Sequence, residues 1–343
     1  MPVSSHQAEP QASVEAGERG RRNWLWKSAV SILLMALLFW TVSFRKVLST
    51  LLSVDPLLLG AAAAVQFLEQ GLTAVAWTLL LRARNIDLSL ARVVYLHFMG
   101  VFVGTLLPSS SGTDVVRTYY LARTISGYEA VGSMLVLRLT GLLALGMVAV
   151  VGIQLVPSQL PWSALVLVGV LIAMVAFALA LALTDAPGRW ASALLGRLGL
   201  PRLARVAEQL HQTLVGYRRA RGHLLMVGAL ALLVQLLRII TTYYAARALG
   251  ATLPLRYYLA LVPVVILLTL LPVSAAGLGV REGSFVFFFT RAGMTQPQAM
   301  GTGLLVFALH LLLAAIGGVL YWRDKRAVDK GIIEALPSVP QGP

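Results

Sequence analysis

The apolar residues of this chain come in long blocks, at 28–44, 56–81, 93–107, 131–156, 162–184, 223–248, 257–271 and 299–322, with a shorter stretch near 285–289. A helix needs about 20 such residues to cross ~30 Å of hydrocarbon, and lipid forces every backbone N–H and C=O to find its partner inside the protein. The blocks lack strand-like alternation, so the expected class is an all-α polytopic membrane protein. Charge agrees with this. Only 12% of residues are charged, against about a quarter in soluble domains.

Residues 1–27 read as a disordered basic tail that ends in an interfacial Trp24-Leu25-Trp26-Lys27 belt, with no cleavage pattern after the first apolar run. A membrane domain follows over 28–322, and 323–343 reads as a polar cytoplasmic tail. Within 185–222, Leu203, Val206, Leu210, Leu214 and Tyr217 recur at helical spacing opposite Arg202, Arg205 and Arg218, the pattern of an interfacial helix. The chain has no cysteine, which excludes disulfides and thiolate metal sites. The net charge of +14 gathers at the ends of apolar blocks, which favours anionic lipid headgroups over nucleic acid as partners.

A shift of 164 residues places Arg92, Thr105, Leu106, Leu107, Pro108 and Arg117 on Arg256, Thr269, Leu270, Leu271, Pro272 and Arg281. Two repeats are therefore expected, at about 56–156 and 220–322. Each holds a run of barely 15 residues that ends in Leu-Leu-Pro, about 22 Å long and short of a full crossing. Proline followed by small residues reads as the tip of a re-entrant helical hairpin, 93–123 in one repeat and 257–291 in the other.

Positive-inside bias supports this reading. With both hairpins re-entrant, 20 of the 28 Lys and Arg residues fall on the cytoplasmic side, five on the other and three (Arg138, Arg238, Arg281) within the membrane. About six spanning helices plus two hairpins then give repeats of inverted topology, with both termini cytoplasmic in an inner or plasma membrane.

The tips are the expected site: Pro108, Ser109, Gly112, Asp114 and Arg117 in the first, and Pro272, Ser274, Gly277, Gly279, Arg281 and Glu282 in the second. Small residues at helix starts offer free N–H groups and arginine offers a planar fork, a set that suits phosphate. The alternative is that the small residues serve packing while the arginines snorkel or bind Asp114 and Glu282. Glu69 and Arg238 lie midway along their spans, where an unpaired charge costs at least ~2.5 kcal/mol, and are expected to pair or line a cavity. Arg138 is expected to snorkel. His97 and His310 stand alone, so no metal site is expected, and no nucleophile, nucleotide or cofactor motif is present. No catalysis is expected.

The segments LLPSSSGTDVVRTYYLAR, LRLTGLLAL, LLPVSAAGLGVREGSFVFFFTRAG and QAMGTGLLVFALHLLLAAIGGVLYW resemble the lysylphosphatidylglycerol synthase transmembrane-region family, also described as flippase-like. The resemblance spans 28–322. Ser110 and Ser111 stand where the family has small residues and glycine, and Leu137 where it commonly has glutamate. It implies a role in moving lipid. About 20 residues follow the last span, so the soluble lysyltransferase domain of bifunctional relatives is not expected. The leading expectation is binding and translocation of a phospholipid or polyprenyl-phosphate-linked lipid. An accessory subunit that presents a lipid-linked intermediate to an envelope-synthesis enzyme is the second reading.

Overall fold

The computed structural model describes residues 42–106, 112–156, 197–270 and 277–334, with Ser274 and scattered positions in 26–40 and 169–195; beyond 323 only the helix itself is described. Every regular element among the described residues is helical. In chain order these are α1 (Phe44–Leu52), α2 (Pro56–Arg82), α3 (Leu90–Leu106), α4 (Gly112–Leu121), α5 (Gly127–Gln154), α6 (Pro201–Gly216), α7 (Arg221–Ala248), α8 (Leu255–Thr269), α9 (Val280–Arg291) and α10 (Gln296–Glu334). Among the described residues, four stretches are long and apolar enough to cross a bilayer: α2, α5, α7 and Gln296–Arg323 of α10. The expected tail 1–23 and most of the span 162–184 lie outside the described residues.

Local chemistry sets the helix ends. Asp55 accepts from the N–H groups of Leu57 (2.8 Å) and Leu58 (3.2 Å) ahead of Pro56, which opens α2. Ser126 does the same for α5 through the Glu129 N–H. The two long helices α2 and α7 close alike, with Asn85 (φ 58°) and Gly250 (φ 76°) in the left-handed region. In each, the following N–H returns to a carbonyl five residues back, Ile86 to Leu81 and Ala251 to Ala246.

The order long, short, short, long thus occurs twice, as α2 to α5 and α7 to α10. The packing respects an exchange of the two halves: α2 lies on α7, α3 on α10 and α8 on α5. The first short helix of each repeat, α3 or α8, therefore docks against the last long helix of the other repeat, while α4 and α9 pack within their own. Glycine makes this possible at two equivalent places. A Cβ on Gly152 would stand 2.2 Å from the Leu259 carbonyl oxygen, and one on Gly317 would stand 2.2 Å from that of Phe98.

Direction follows from three contacts. The Asp55 N–H donates to the Ala248 carbonyl (2.9 Å), Glu69 meets Arg238 midway, and Arg84 lies over the Tyr217 ring just before α7. The corresponding helices α2 and α7 therefore run antiparallel, as inverted repeats require. Each hairpin also turns back to its starting level. Leu121, at the end of α4, packs with Val93 and Leu96 near the start of α3, and Phe289 of α9 packs on Tyr258 of α8 with ring centroids 5.2 Å apart.

Helix α6 is docked on α5, with Leu214 and Tyr217 buried while Leu203 and Val206 remain exposed. Tyr217 lies outside the spans, and burial pushes its phenol pKa up. Among the phenylalanines of α9, 285, 288 and 289 are core and 287 is exposed.

Candidate functional site

The first hairpin closes over two glycines on α3. A Cβ on Gly100 would strike Arg117 Cγ at 2.4 Å, and one on Gly104 would strike the Thr113 backbone at 2.4 Å. The Arg117 stem therefore lies in the gap that Gly100 leaves, and the residue is only 6% exposed. Its guanidinium reaches His97 Nε2 (3.2 Å) and Asp114 (3.6 Å). His97 is itself fully buried and meets Gln70 Oε1 at 2.8 Å. The positive-inside partition counts Arg117 among the 20 cytoplasmic charges and outside the three within the membrane. The structure instead makes it an interior residue, with His97 and Asp114 in place of water around its guanidinium.

Asp114 carries a second cation. Arg138 of α5 forms an ion pair with its other oxygen, so Arg138 does not snorkel as expected; a nearer carboxylate holds it. Two guanidiniums thus share one carboxylate.

In the second hairpin, Gly277 (φ 75°) and Gly279 (φ 81°) adopt backbone that other residues rarely take, and a Cβ on Gly279 would meet Leu34 at 2.6 Å. Glu282 is fully buried and accepts from the Gly279 N–H (2.8 Å) at the start of α9. The helix start proposed for phosphate is therefore already occupied by the protein's own carboxylate. Glu282 also accepts from Arg281 Nε (2.9 Å) and Nη2 (2.6 Å), and that guanidinium lies over the Phe307 ring, 4.6 Å from its centroid.

Glu69 and Arg238 are bonded. Nε and Nη2 of Arg238 donate to one carboxylate oxygen at 2.9 and 2.5 Å, and Nη1 donates to Gln235 (3.2 Å). The pair is lopsided: the Glu69 side chain is 4% exposed and that of Arg238 36%.

Two cavities meet at Arg238. The first, about 310 Å³, is lined by Thr73, Asp114, Arg117, Arg138, Gln235, Arg238 and apolar residues of α5, α7 and α8. The second, about 410 Å³, joins the two hairpins, with Thr105 and Thr113 from one, Thr269 and Arg281 from the other, and Glu69, Gln70, Arg238 and His310 between them. A groove of about 440 Å³ between α4 and α5 shares Asp114, Met134 and Arg138 with the first cavity and continues over Val115, Tyr119 and Val131, which are exposed.

The expected site residues are therefore gathered, though not as two bare tips. Arg117, Asp114 and Arg138 line one cavity, Glu69 and Arg281 the other, and Arg238 both. Gly112 and Ser274 are buried. Pro108, Ser109 and Pro272 lie outside the described residues. Sequence reasoning missed Gly100, Gly104, Gln70 and Gln235. The first two form a G-x-x-x-G pair, a signal of close helix approach that was legible.

A family model described as the lysylphosphatidylglycerol synthase TM region matches residues 24–318. A protein of Methanothermobacter thermautotrophicus described as a UPF0104 membrane protein is 24% identical over 286 residues, which cover 78% of this chain and 85% of that one.

Proposed function

Because the chain belongs to the lysylphosphatidylglycerol synthase TM-region family, we propose that this multi-pass membrane protein binds a lipid with an anionic headgroup and carries that headgroup across the bilayer. The observation that carries the reading is the unbalanced charge of the first cavity, where Arg117 and Arg138 face Asp114 alone. An uncompensated guanidinium at membrane depth is expensive unless an anion completes it. The groove between α4 and α5 suits the other end of the same molecule, since its apolar residues are exposed where acyl chains lie. A phosphate in the cavity with chains in the groove satisfies both surfaces.

The inverted repeats supply a route. Two hairpins that enter from opposite sides and meet across one cavity can expose it to each side in turn. The distribution of lysine and arginine favours a cell membrane with both termini in the cytoplasm. The chemistry asked of the site is binding, with no covalent step.

The test is translocation in proteoliposomes of fluorescently labelled phosphatidylglycerol against labelled phosphatidylcholine, read by quenching of the outer leaflet. Phosphatidylglycerol is expected to cross several-fold faster, and Arg138→Ala, which removes a half-buried residue and leaves the hairpin core intact, is expected to slow it about tenfold, or about 1.4 kcal/mol. Equal rates for both headgroups, unchanged by Arg138→Ala, would overturn the proposal.

A further inference from the structure

The two cavities hold different charge. The first has two guanidiniums against one carboxylate, whereas the second holds two closed pairs, Arg238 with Glu69 and Arg281 with Glu282. An anion that moves past Arg238 from the first cavity to the second leaves a site with a spare positive charge for one with none. Like charges in a low-dielectric cavity repel, and a carboxylate there relieves the repulsion by binding a proton.

Of the two carboxylates, Glu282 is tied at both ends. One oxygen holds the Gly279 N–H and the other holds Arg281. Glu69 has one charged partner, and that partner lines both cavities. Resting on the lipid-binding reading above, we propose that Glu69 is a proton-binding site coupled to the cargo: an anionic headgroup that engages Arg238 displaces the carboxylate, which takes up one proton. The proton enters from the aqueous phase on the side from which the headgroup comes. It leaves on the other side when the headgroup departs and the Glu69–Arg238 pair re-forms. One lipid anion and one proton therefore move together, and the charge carried is zero.

The groups facing Glu69 from each neighbouring helix define the competition. Helix α7 presents Arg238, α9 presents Arg281, which is closed by Glu282 behind it, α10 presents His310, α3 presents His97, held by Gln70 with Arg117 behind it, and α5, which also packs on α2, brings Arg138 with Asp114 to the adjoining cavity beside Arg238. His310 is the other group in this cavity able to take a proton, and its Nε2 lies 3.3 Å from Thr105 Oγ1.

The experiment uses the full chain in proteoliposomes with labelled phosphatidylglycerol, with a pH difference imposed across the membrane in either direction. Wild type is expected to enrich the label in the leaflet facing the more alkaline side, and its rate without a gradient is expected to fall as pH rises, approaching tenfold per unit. Glu69→Gln keeps an oxygen for Arg238 but cannot titrate, so its rate is expected to be independent of pH and of the gradient, while His310→Gln retains both responses. Wild-type translocation that ignores pH and gradient overturns the coupling and leaves the lipid reading standing. Loss of the responses in His310→Gln but not in Glu69→Gln moves the proton to the histidine and overturns the assignment. No translocation of label at any pH overturns both readings together.

Discussion

The contact between Gly152 and Leu259 offers a sharp test of how the repeats are locked together. Pro263, inside α8, has no N–H to return to the carbonyl four residues back, and that carbonyl belongs to Leu259. The freed oxygen points at the backbone of Gly152, where a Cβ would stand 2.2 Å away, with the Leu259 carbonyl carbon at 2.4 Å. An acceptable Cβ contact begins a little above 3 Å, so Gly152→Ala must push α5 and α8 apart by about 1 Å, and both partners are main chain that cannot turn aside. Overpacking of this kind costs about 1–3 kcal/mol, while alanine in a helix returns up to about 1 kcal/mol. The control is internal. Gly60 and Gly228 have nothing within 4 Å of their Cβ positions, so Gly60→Ala and Gly228→Ala keep only the gain. Unfolding in mixed micelles by titration with sodium dodecyl sulfate should therefore rank Gly152→Ala and Gly317→Ala about 1–3 kcal/mol below the two controls, since the helix gain is common to all four. The double variant should lose about the sum, because the sites lie on opposite ends of the molecule. A Gly152→Ala protein as stable as Gly60→Ala would refute the close approach and with it the crossed packing of the repeats.

Two further outcomes follow from the charges. Arg238→Gln strands the buried Glu69, at a cost of about 3–5 kcal/mol that protonation of the carboxylate limits, whereas Glu69→Gln leaves a guanidinium still facing a cavity and costs less; the same micelle titration should show that order, with the double variant recovering part of the loss. Asp114→Asn leaves Arg117 and Arg138 without a counter-charge, so binding of phosphatidylglycerol in nanodiscs should tighten several-fold while the unfolding midpoint drops; weaker binding would contradict the charge excess.

Much of this was legible in the residues. The length of the apolar blocks determines membrane-spanning helices, because hydrocarbon leaves no other way to satisfy a backbone. The Leu-Leu-Pro breaks after short runs determine hairpins that turn back, and the recurrence of the same order determines two related halves. The mid-span Glu69 and Arg238 were marked by the cost of leaving either charge alone, which left pairing or lining a cavity as the ways to hold them.

Other features were decided only in three dimensions. Asp114 could be matched along its own helix to Arg117, but nothing in the chain says that Arg138, on the next helix, takes its second oxygen. Nor does it say that Glu282 caps its own helix start, or that Arg238 reaches two cavities while Glu69 stays hidden beside it. Local spacing fixes which residues share a face of one helix, since each residue turns the helix by about 100° whatever surrounds it. Which face meets which neighbour, and at what height, depends on where two backbones can approach closely. Here Gly100, Gly104, Gly152 and Gly317 set that rotation and register, and with them the distribution of charge between the cavities.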